Sequence, residues 1–398
     1  MADPPLHGPP FAGYQAEIFL GGMAGTKPEH PVSVADLERV AEETLDDPKA
    51  AAYVFGGAGR EDTMRGNADA FRRWRIVPRM LRDVSERDLS VTVLGTEMPA
   101  PLLLAPIGVQ SIVHPDGELA VARAAAAVGL PMILSTVSSF ALEEVAGAAG
   151  GPMWFQLYLP RSRELASSLV NRAERAGYEA IVLTVDTFLQ GWKPRDLQSA
   201  WMPQLAGIGL ANYTSDPVFQ SMLEKPAEED PQGAVGQFIA QFANPQLSWD
   251  EVEFLRAETE LPILLKGILH PDDARLAGES GVDGVVVSNH GGRQLDGEIA
   301  ALDALPAIAD AVGGELAVLL DSGVRSGADA AKALALGADA VAIGRPYLWG
   351  LALDGEAGAL AVLRAILAEL DLTIGLSGHS RPGELTPELL AREGDSPG

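Results

Sequence analysis

Eight short apolar runs recur through the chain from about residue 100, and each leads into a helical pattern. They are "PLLLAP" (101–106), "PMILS" (131–135), "MWFQLY" (153–158), "EAIVLTVD" (179–186), "PILLKG" (262–267), "DGVVVSN" (283–289), "LAVLLDSG" (316–323) and "DAVAIG" (339–344). Each run is continuous rather than alternating, as in strands buried on both faces of a parallel sheet. Ala-rich amphipathic segments such as "GELAVARAAAAVG" and "ADAAKALALGA" separate them. Several of these segments open at acidic or Ser residues and close at Gly, as capped helices do. Eight β/α units in about 250 residues predict an α/β fold, the (β/α)8 TIM barrel. A doubly wound sheet has the same periodicity, because periodicity does not register closure.

Two regions fall outside the repeat. Residues 1–100 form an N-terminal extension, helical at "SVADLERVAEETL" and irregular afterwards. Residues 187–248 form a long loop after the fourth strand, with the Pro-, Gly- and acid-rich stretch "LEKPAEEDPQGAVGQ". A break of this length in a compact domain predicts a functional lid or a disordered segment. The expected organisation is one domain over 1–398: the extension 1–100, a barrel over 101–375 carrying the lid insertion 187–248, and a tail over 376–398.

Net charge is −26, a field that repels nucleic acid and anionic membranes and removes both from the expected partners. An anionic ligand would need positive charge gathered locally. The chain has no cysteine, which excludes disulfides, thiolate metal sites and cysteine nucleophiles. "MADPPLHGPPFAGYQAEIFL" lacks a basic segment followed by an apolar core, and no apolar stretch reaches membrane-spanning length. A cytoplasmic protein is the expectation.

In such a barrel the C-terminal ends of the strands face the active site. Here nearly all of those ends are polar: "APIGVQ", "STVSS", Gln156 and Tyr158, Thr184 and Asp186, Lys266, Ser288 with Asn289 and His290, "DSGVRSG", and "GRP". After strands seven and eight, glycines beside Arg325 and Arg345 suit a phosphate, with backbone N–H groups at a helix start and a guanidinium; plain tight turns are the other reading. Lys266 caps an apolar run and needs an anionic partner, either a local carboxylate or charge developing on a cofactor.

Of six histidines, only His290 directly follows a buried strand. His7 and His30 lie in Pro-rich stretches and are expected at the surface; His114 and His270 precede Pro-Asp at helix starts and suit turn roles; His379 lies near the C-terminus. No second strand-end histidine or paired carboxylate accompanies His290, so no metal site is expected. Asp186 would orient its imidazole and stabilise the protonated form.

These residues resemble the FMN-dependent 2-hydroxy acid dehydrogenases and oxidases over nearly the whole chain from about residue 33. "SNHGGRQLDG" is similar to that family's active-site signature, and "LAPIG", "FQLY", "LTVDT", "LLKG", "DSGVRSGAD" and "IGRP" fall in its order. The resemblance implies FMN as cofactor, and a small 2-hydroxy acid and dioxygen as substrates. His290 would be the base, with Asp186 behind it, and Arg293 would hold the substrate carboxylate. Tyr53 and Tyr158 would bond the carboxylate and hydroxyl. Lys266 would face the N1–C2 edge of the flavin. Gln156, Thr184, Ser135 and the backbone of Pro106, Ile107 and Gly108 would hold the ring. Ser288, Asp321 and Gly323 would lie beside the cofactor, with Arg325, Gly344 and Arg345 on its phosphate. The resemblance further implies a homo-oligomer, a tetramer or octamer.

Within the family the likeness is greatest to lactate 2-monooxygenases, on "YQAEIF", the chain length, the segment "GWKPRDLQSAWMPQLAGIGLANYTSDPVFQ" and Gly108 in place of alanine. That implies L-lactate as substrate, with the keto acid retained under the lid and decarboxylated by peroxide to acetate, CO2 and water. An oxidase releasing keto acid and peroxide, or a dehydrogenase with another acceptor, is the alternative. Gly108 would leave dioxygen room near the flavin. Lys193 stands where the family pattern has a second substrate-facing arginine, so either Arg195 takes over or Lys193 binds the carboxylate more loosely. Val137 replaces a bulky aromatic found in glycolate oxidases.

Overall fold

The computed structural model describes residues 11–242 and 244–394; His7 lies outside them. The eight apolar runs form eight parallel strands: β1 (Leu102–Leu104), β2 (Met132–Ser135), β3 (Met153–Leu157), β4 (Ile181–Thr184), β5 (Ile263–Ile268), β6 (Gly284–Val287), β7 (Ala317–Leu320) and β8 (Ala340–Ile343). They pair in sequence order, and β8 pairs with β1 through Val341 and Leu102, so the sheet closes. Closure selects the TIM barrel over the doubly wound sheet.

Alternate strand residues point in opposite directions. Leu103, Ile133, Trp154, Val182, Leu264, Val286, Leu319 and Ala340 therefore fill the barrel interior as one cluster. Their neighbours pack outward on the helices, in a second and larger cluster. The last part of the N-terminal extension is a hairpin, Val91–Val93 with Thr96–Met98, whose Val93 and Met98 join the interior cluster. Trp154 Nε1 donates to Thr96 Oγ1 at 2.9 Å and fastens the hairpin there. The opposite end, where the strand C-termini lie, is left for chemistry.

Four helices begin the described extension: Gly13–Met23, Val34–Thr44, Pro48–Phe55 and Asp62–Arg72. The third has Asp47 accepting from the Lys49 amide as its cap and proline in its first turn, and it carries Tyr53 to the barrel mouth. His30 departs from the surface expectation. It is half-buried against Asp354, 3.3 Å away, because the extension folds back on the last long helix, Arg345–Leu376. His114 and His270 do serve turns: each Nδ1 accepts the backbone N–H two residues on.

The insertion after β4 needs a larger correction. It carries four helices, Pro194–Ser199, Ala211–Thr214, Pro217–Ser221 and Pro231–Phe242. Tyr213 is fully buried and packs edge-on against Phe219 and Phe238 at 5.5 and 5.0 Å. Asn212 donates to the carbonyls of Ser135 and Thr136 and accepts from the Leu142 amide. From about residue 203 the insertion thus has a packed apolar centre in Tyr213, Phe219 and Phe238, tied to the barrel through Asn212. The Pro- and acid-rich stretch that suggested a loose loop is a turn that runs into the Pro231–Phe242 helix. The first portion of the insertion exposes Phe188, Leu189 and Trp192. Among the described residues no helix is long and apolar enough to cross a membrane.

Candidate active site

A cavity at the C-terminal mouth brings together residues from seven strand ends and the extension. Tyr53, Pro106, Ile107, Gly108, Val137, Tyr158, Lys266, His290, Arg293, Asp321, Gly323, Arg325, Gly344 and Arg345 all line it. Ser135, Gln156 and Thr184 are buried outside its wall and linked in a row: Ser135 Oγ donates to Gln156 Oε1 at 3.0 Å, and Gln156 Nε2 donates to Thr184 Oγ1 at 2.9 Å. That row fixes the ends of β2, β3 and β4 relative to one another.

His290 leaves β6 with φ 57°, followed by Gly291 at 65° and Gly292 at 74°. Three successive left-handed residues turn the loop sharply. At Gly292 a Cβ would stand 2.5 Å from the Met64 amide, so only glycine lets the loop meet the extension. His290 Nδ1 lies 2.8 Å from Asp186 Oδ1, and Tyr158 Oη is 3.4 Å from Nε2. With Nδ1–H donated to Asp186, Nε2 is free to accept a proton. Burial lowers the His290 pKa, and Asp186 opposes the shift. For Asp186 burial acts upward, but the charges of His290 and Lys266 and hydrogen bonds from His290 and Thr187 hold it at about 2. The pair is therefore a neutral imidazole backed by an ionised carboxylate.

Lys266 has the local carboxylate partner. Its Nζ donates to Ser288 Oγ at 3.1 Å and lies 3.3 Å from Asp321 Oδ2, while the side chain also reaches the cavity. Burial works against its charge, but Asp321 and Asp186 outweigh it and raise its pKa. The ammonium is thus charged and fixed at neutral pH.

Three guanidinium groups crowd the same cavity. Arg293 Nη1 donates to the carbonyls of Tyr53 and Gly56, both at 2.7 Å, and stacks on the Tyr53 ring. Arg345 donates to the carbonyls of Val54, Gly56 and Gly291. Arg325 donates to the Val324 carbonyl and stacks on Trp349. Among the described residues none of the three has a carboxylate within ion-pair reach. Burial, then Arg293 and Arg325, bring the Arg345 pKa down to about 9. Partly buried cations without counter-charge are costly, and a cluster of this kind would suit an anion. Of the glycines beside these arginines, a side chain on Gly344 would only reach ordinary contact with Ala105 and Ile107, whereas one on Gly327 would overlap the Leu370 amide. Gly327 is therefore a packing glycine.

Lys193 is not on the cavity wall. It is half-buried beside Arg293, and burial with that neighbour lowers its pKa to about 8. Arg195 does not replace it, since its guanidinium is held by Glu61 at 2.7 Å. Packing alone requires Gly108: a Cβ there would lie 2.5 Å from the Val137 carbonyl oxygen. Room for dioxygen is not needed to account for it.

Several participants escaped sequence reading. Thr187 Oγ1 donates to Asp186 Oδ1 at 2.8 Å; it stands next to Asp186 in "LTVDT", and that adjacency was its only signal. Ser322 Oγ accepts from the amides of Asn289 and Gly291 and donates to Asp321, tying two loops together. Asn67 and Asn289 exchange side-chain hydrogen bonds at 2.7 and 2.8 Å across 222 residues, which no local pattern announces.

The sequence model for FMN-dependent dehydrogenase matches residues 41–392. The chain is 51% identical to an L-lactate oxidase of Lysinibacillus sphaericus (strain C3-41) over 381 residues, 95% of this chain and 97% of that one. It is 42% identical to 2-hydroxyacid oxidase 1 of Homo sapiens, covering 87% and 93%. A solved structure of mandelate oxidase with (S)-4-hydroxymandelic acid superposes with a TM-score of 0.81 at 39% identity, covering 91% and 98%.

Proposed function

Because the chain belongs to the FMN-dependent dehydrogenase family, we propose that it oxidises a small L-2-hydroxy acid, L-lactate first, and releases the 2-keto acid and hydrogen peroxide. The observation that carries this reading is the His290–Asp186 pair, 2.8 Å apart, with Arg293 and Tyr158 in the same cavity.

FMN is the family's cofactor, and the residues present fit it. The Arg325–Arg345 region is a buried cation cluster lacking a carboxylate partner, which suits a dianionic phosphate. The wall of Pro106, Ile107, Gly108 and Val137 suits a flat apolar ring, and Lys266 supplies a fixed charge for a polar ring edge. When bound, FMN supplies the two-electron acceptor for the hydrogen on the substrate α-carbon.

The chain's own residues do the rest. Arg293, with Tyr53 beneath it, holds the substrate carboxylate and leaves the α-hydroxyl near Tyr158 and His290. His290 Nε2 takes the hydroxyl proton. Asp186 keeps Nδ1 protonated and stabilises the imidazolium that results. The overall change is R–CH(OH)–COO⁻ + O2 → R–CO–COO⁻ + H2O2.

The finer reading, retention and peroxide-driven decarboxylation to acetate, uses the same residues. Two of the sequence features that suggested it arise without it: Gly108 is required by packing, and the L. sphaericus oxidase has matching length. Release of the keto acid is therefore the better-supported outcome. A cytoplasmic homo-oligomer remains part of the proposal on the family resemblance alone. The deciding experiment is product analysis in air with L-lactate and (S)-mandelate. Pyruvate and peroxide in equal amounts support the proposal; acetate with CO2 and no free peroxide replaces it with the monooxygenase.

A further inference from the structure

Asp186 separates two cavities. The substrate cavity is lined by His290 but not by Asp186, and a second cavity is lined by Asp186 but not by His290. Glu298, Asp273 and Gln294 also line the second cavity, and among the described residues no lysine, arginine or histidine lines it. Asp186 Oδ1 is fully engaged by His290 and Thr187. Asp186 Oδ2 and Glu298 Oε2 are both buried and without a hydrogen-bond partner. The Gln294 amide is already committed to the carbonyls of Asp186 and Leu189. Two unpartnered carboxylate oxygens facing one cavity become complementary only when one carries a proton.

We propose that Glu298 is a positioning residue for the dyad: its protonated carboxyl donates to Asp186 Oδ2, directly or through one water, and so sets the basicity of His290. The inference rests on the reading of His290 as base and Asp186 as its orienting partner. Burial and the charge of Asp186 hold Glu298 at about 7, so it keeps its proton below neutrality and loses it above. The groups facing Asp186 are His290, Lys266 and Thr187. Those facing Glu298 are Asp186 and, from the helix after β5, Asp273, while its backbone N–H donates to Thr63 Oγ1. No cation intervenes along the cavity wall. Below neutrality the imidazole has one negative charge behind it; above, it has two, and the second favours the imidazolium. The proton on Glu298 thereby couples pH to the strength of the base from outside the substrate cavity.

The test follows the His290 imidazole by nitrogen NMR across pH in the oxidised FMN-loaded chain, with no substrate. His290→Gln assigns the signal. Wild type should show a second inflection near pH 7, and Glu298→Gln should abolish it. In parallel, anaerobic flavin reduction by L-lactate is timed at pH 6. Glu298→Gln, which keeps a donor, should stay within about threefold of wild type, while Glu298→Leu should be slower by about tenfold. A Glu298→Gln titration identical to wild type overturns the proposal, as does a Glu298→Leu protein that reduces at the wild-type rate. If wild type itself is reduced by no 2-hydroxy acid, the functional reading fails, and the NMR titration, which needs no turnover, still decides the role of Glu298.

Discussion

Asp186 holds His290 by a 2.8 Å contact to Nδ1 while His290 sits in a left-handed backbone conformation, φ 57°. A non-glycine residue in that region costs of order 1–3 kcal/mol and persists only where its surroundings fix it. Here Ser288, Ser322 and the Asn67–Asn289 pair do so. His290→Gln should therefore retain FMN and fold, but slow anaerobic flavin reduction by roughly 10²–10⁴-fold. Stopped-flow measurement with L-lactate checks this, and a protein reduced at the wild-type rate refutes the base assignment.

The pH dependence follows from the same pair. The neutral imidazole is the active form, and burial holds the His290 pKa below its ordinary 6.5. Activity at low substrate should thus rise with pH, with a midpoint below 6.5, before any second change that Glu298 brings near 7. In stability terms a depressed pKa favours the fold above the unfolded value, so this contribution fades as pH falls from 6.5 through the folded value. For Asp186 the corresponding loss falls between 3.8 and about 2. A kcat/KM profile and thermal melts across pH check both directions.

Arg345 should matter first for holding the cofactor. Removing one of three crowded buried cations, as in Arg345→Met, relieves repulsion in the FMN-free chain but deletes charge-assisted bonds to a phosphate. FMN affinity should fall about 10–100-fold, and the rise in Tm on adding FMN should shrink. Fluorescence titration with FMN and melts at fixed FMN report the two effects separately.

Arg293 and Lys193 should divide sharply. Arg293 lines the cavity with a planar fork, and Arg293→Lys keeps charge without bidentate geometry, so KM for L-lactate should rise about tenfold or more. Lys193 acts only from beside Arg293, so Lys193→Met should change KM by less than about threefold. Equal effects of the two substitutions would put Lys193 at the carboxylate after all.

Gly108→Ala should destabilise the protein by about 1–3 kcal/mol, because its methyl meets the Val137 backbone. The rate of reoxidation by dioxygen should change little in the fraction that remains folded.

The barrel was legible because continuous apolar runs leave little choice but two-sided burial, and all eight became strands. The strand-end residues were legible for the same reason, since a strand's end fixes which residues reach the mouth. Closure was not, because pairing of β8 with β1 joins residues about 240 apart. The insertion misled through its Pro- and acid-rich turn, although Tyr213, Phe219 and Phe238 are the core of a packed unit. The packing around Gly108 was not legible either, because an absent side chain says nothing of which neighbour forbids it. Glu298 carried no signal at all, because its significance lies in an unpartnered oxygen that only three dimensions reveal.

The most direct test of the mechanism is to mix the FMN-loaded protein with L-lactate in the absence of air. The yellow colour is predicted to bleach in wild type, return on admitting air, and persist unbleached on the same timescale in His290→Gln. A wild-type protein that stays yellow with L-lactate, glycolate and (S)-mandelate alike would contradict the mechanism.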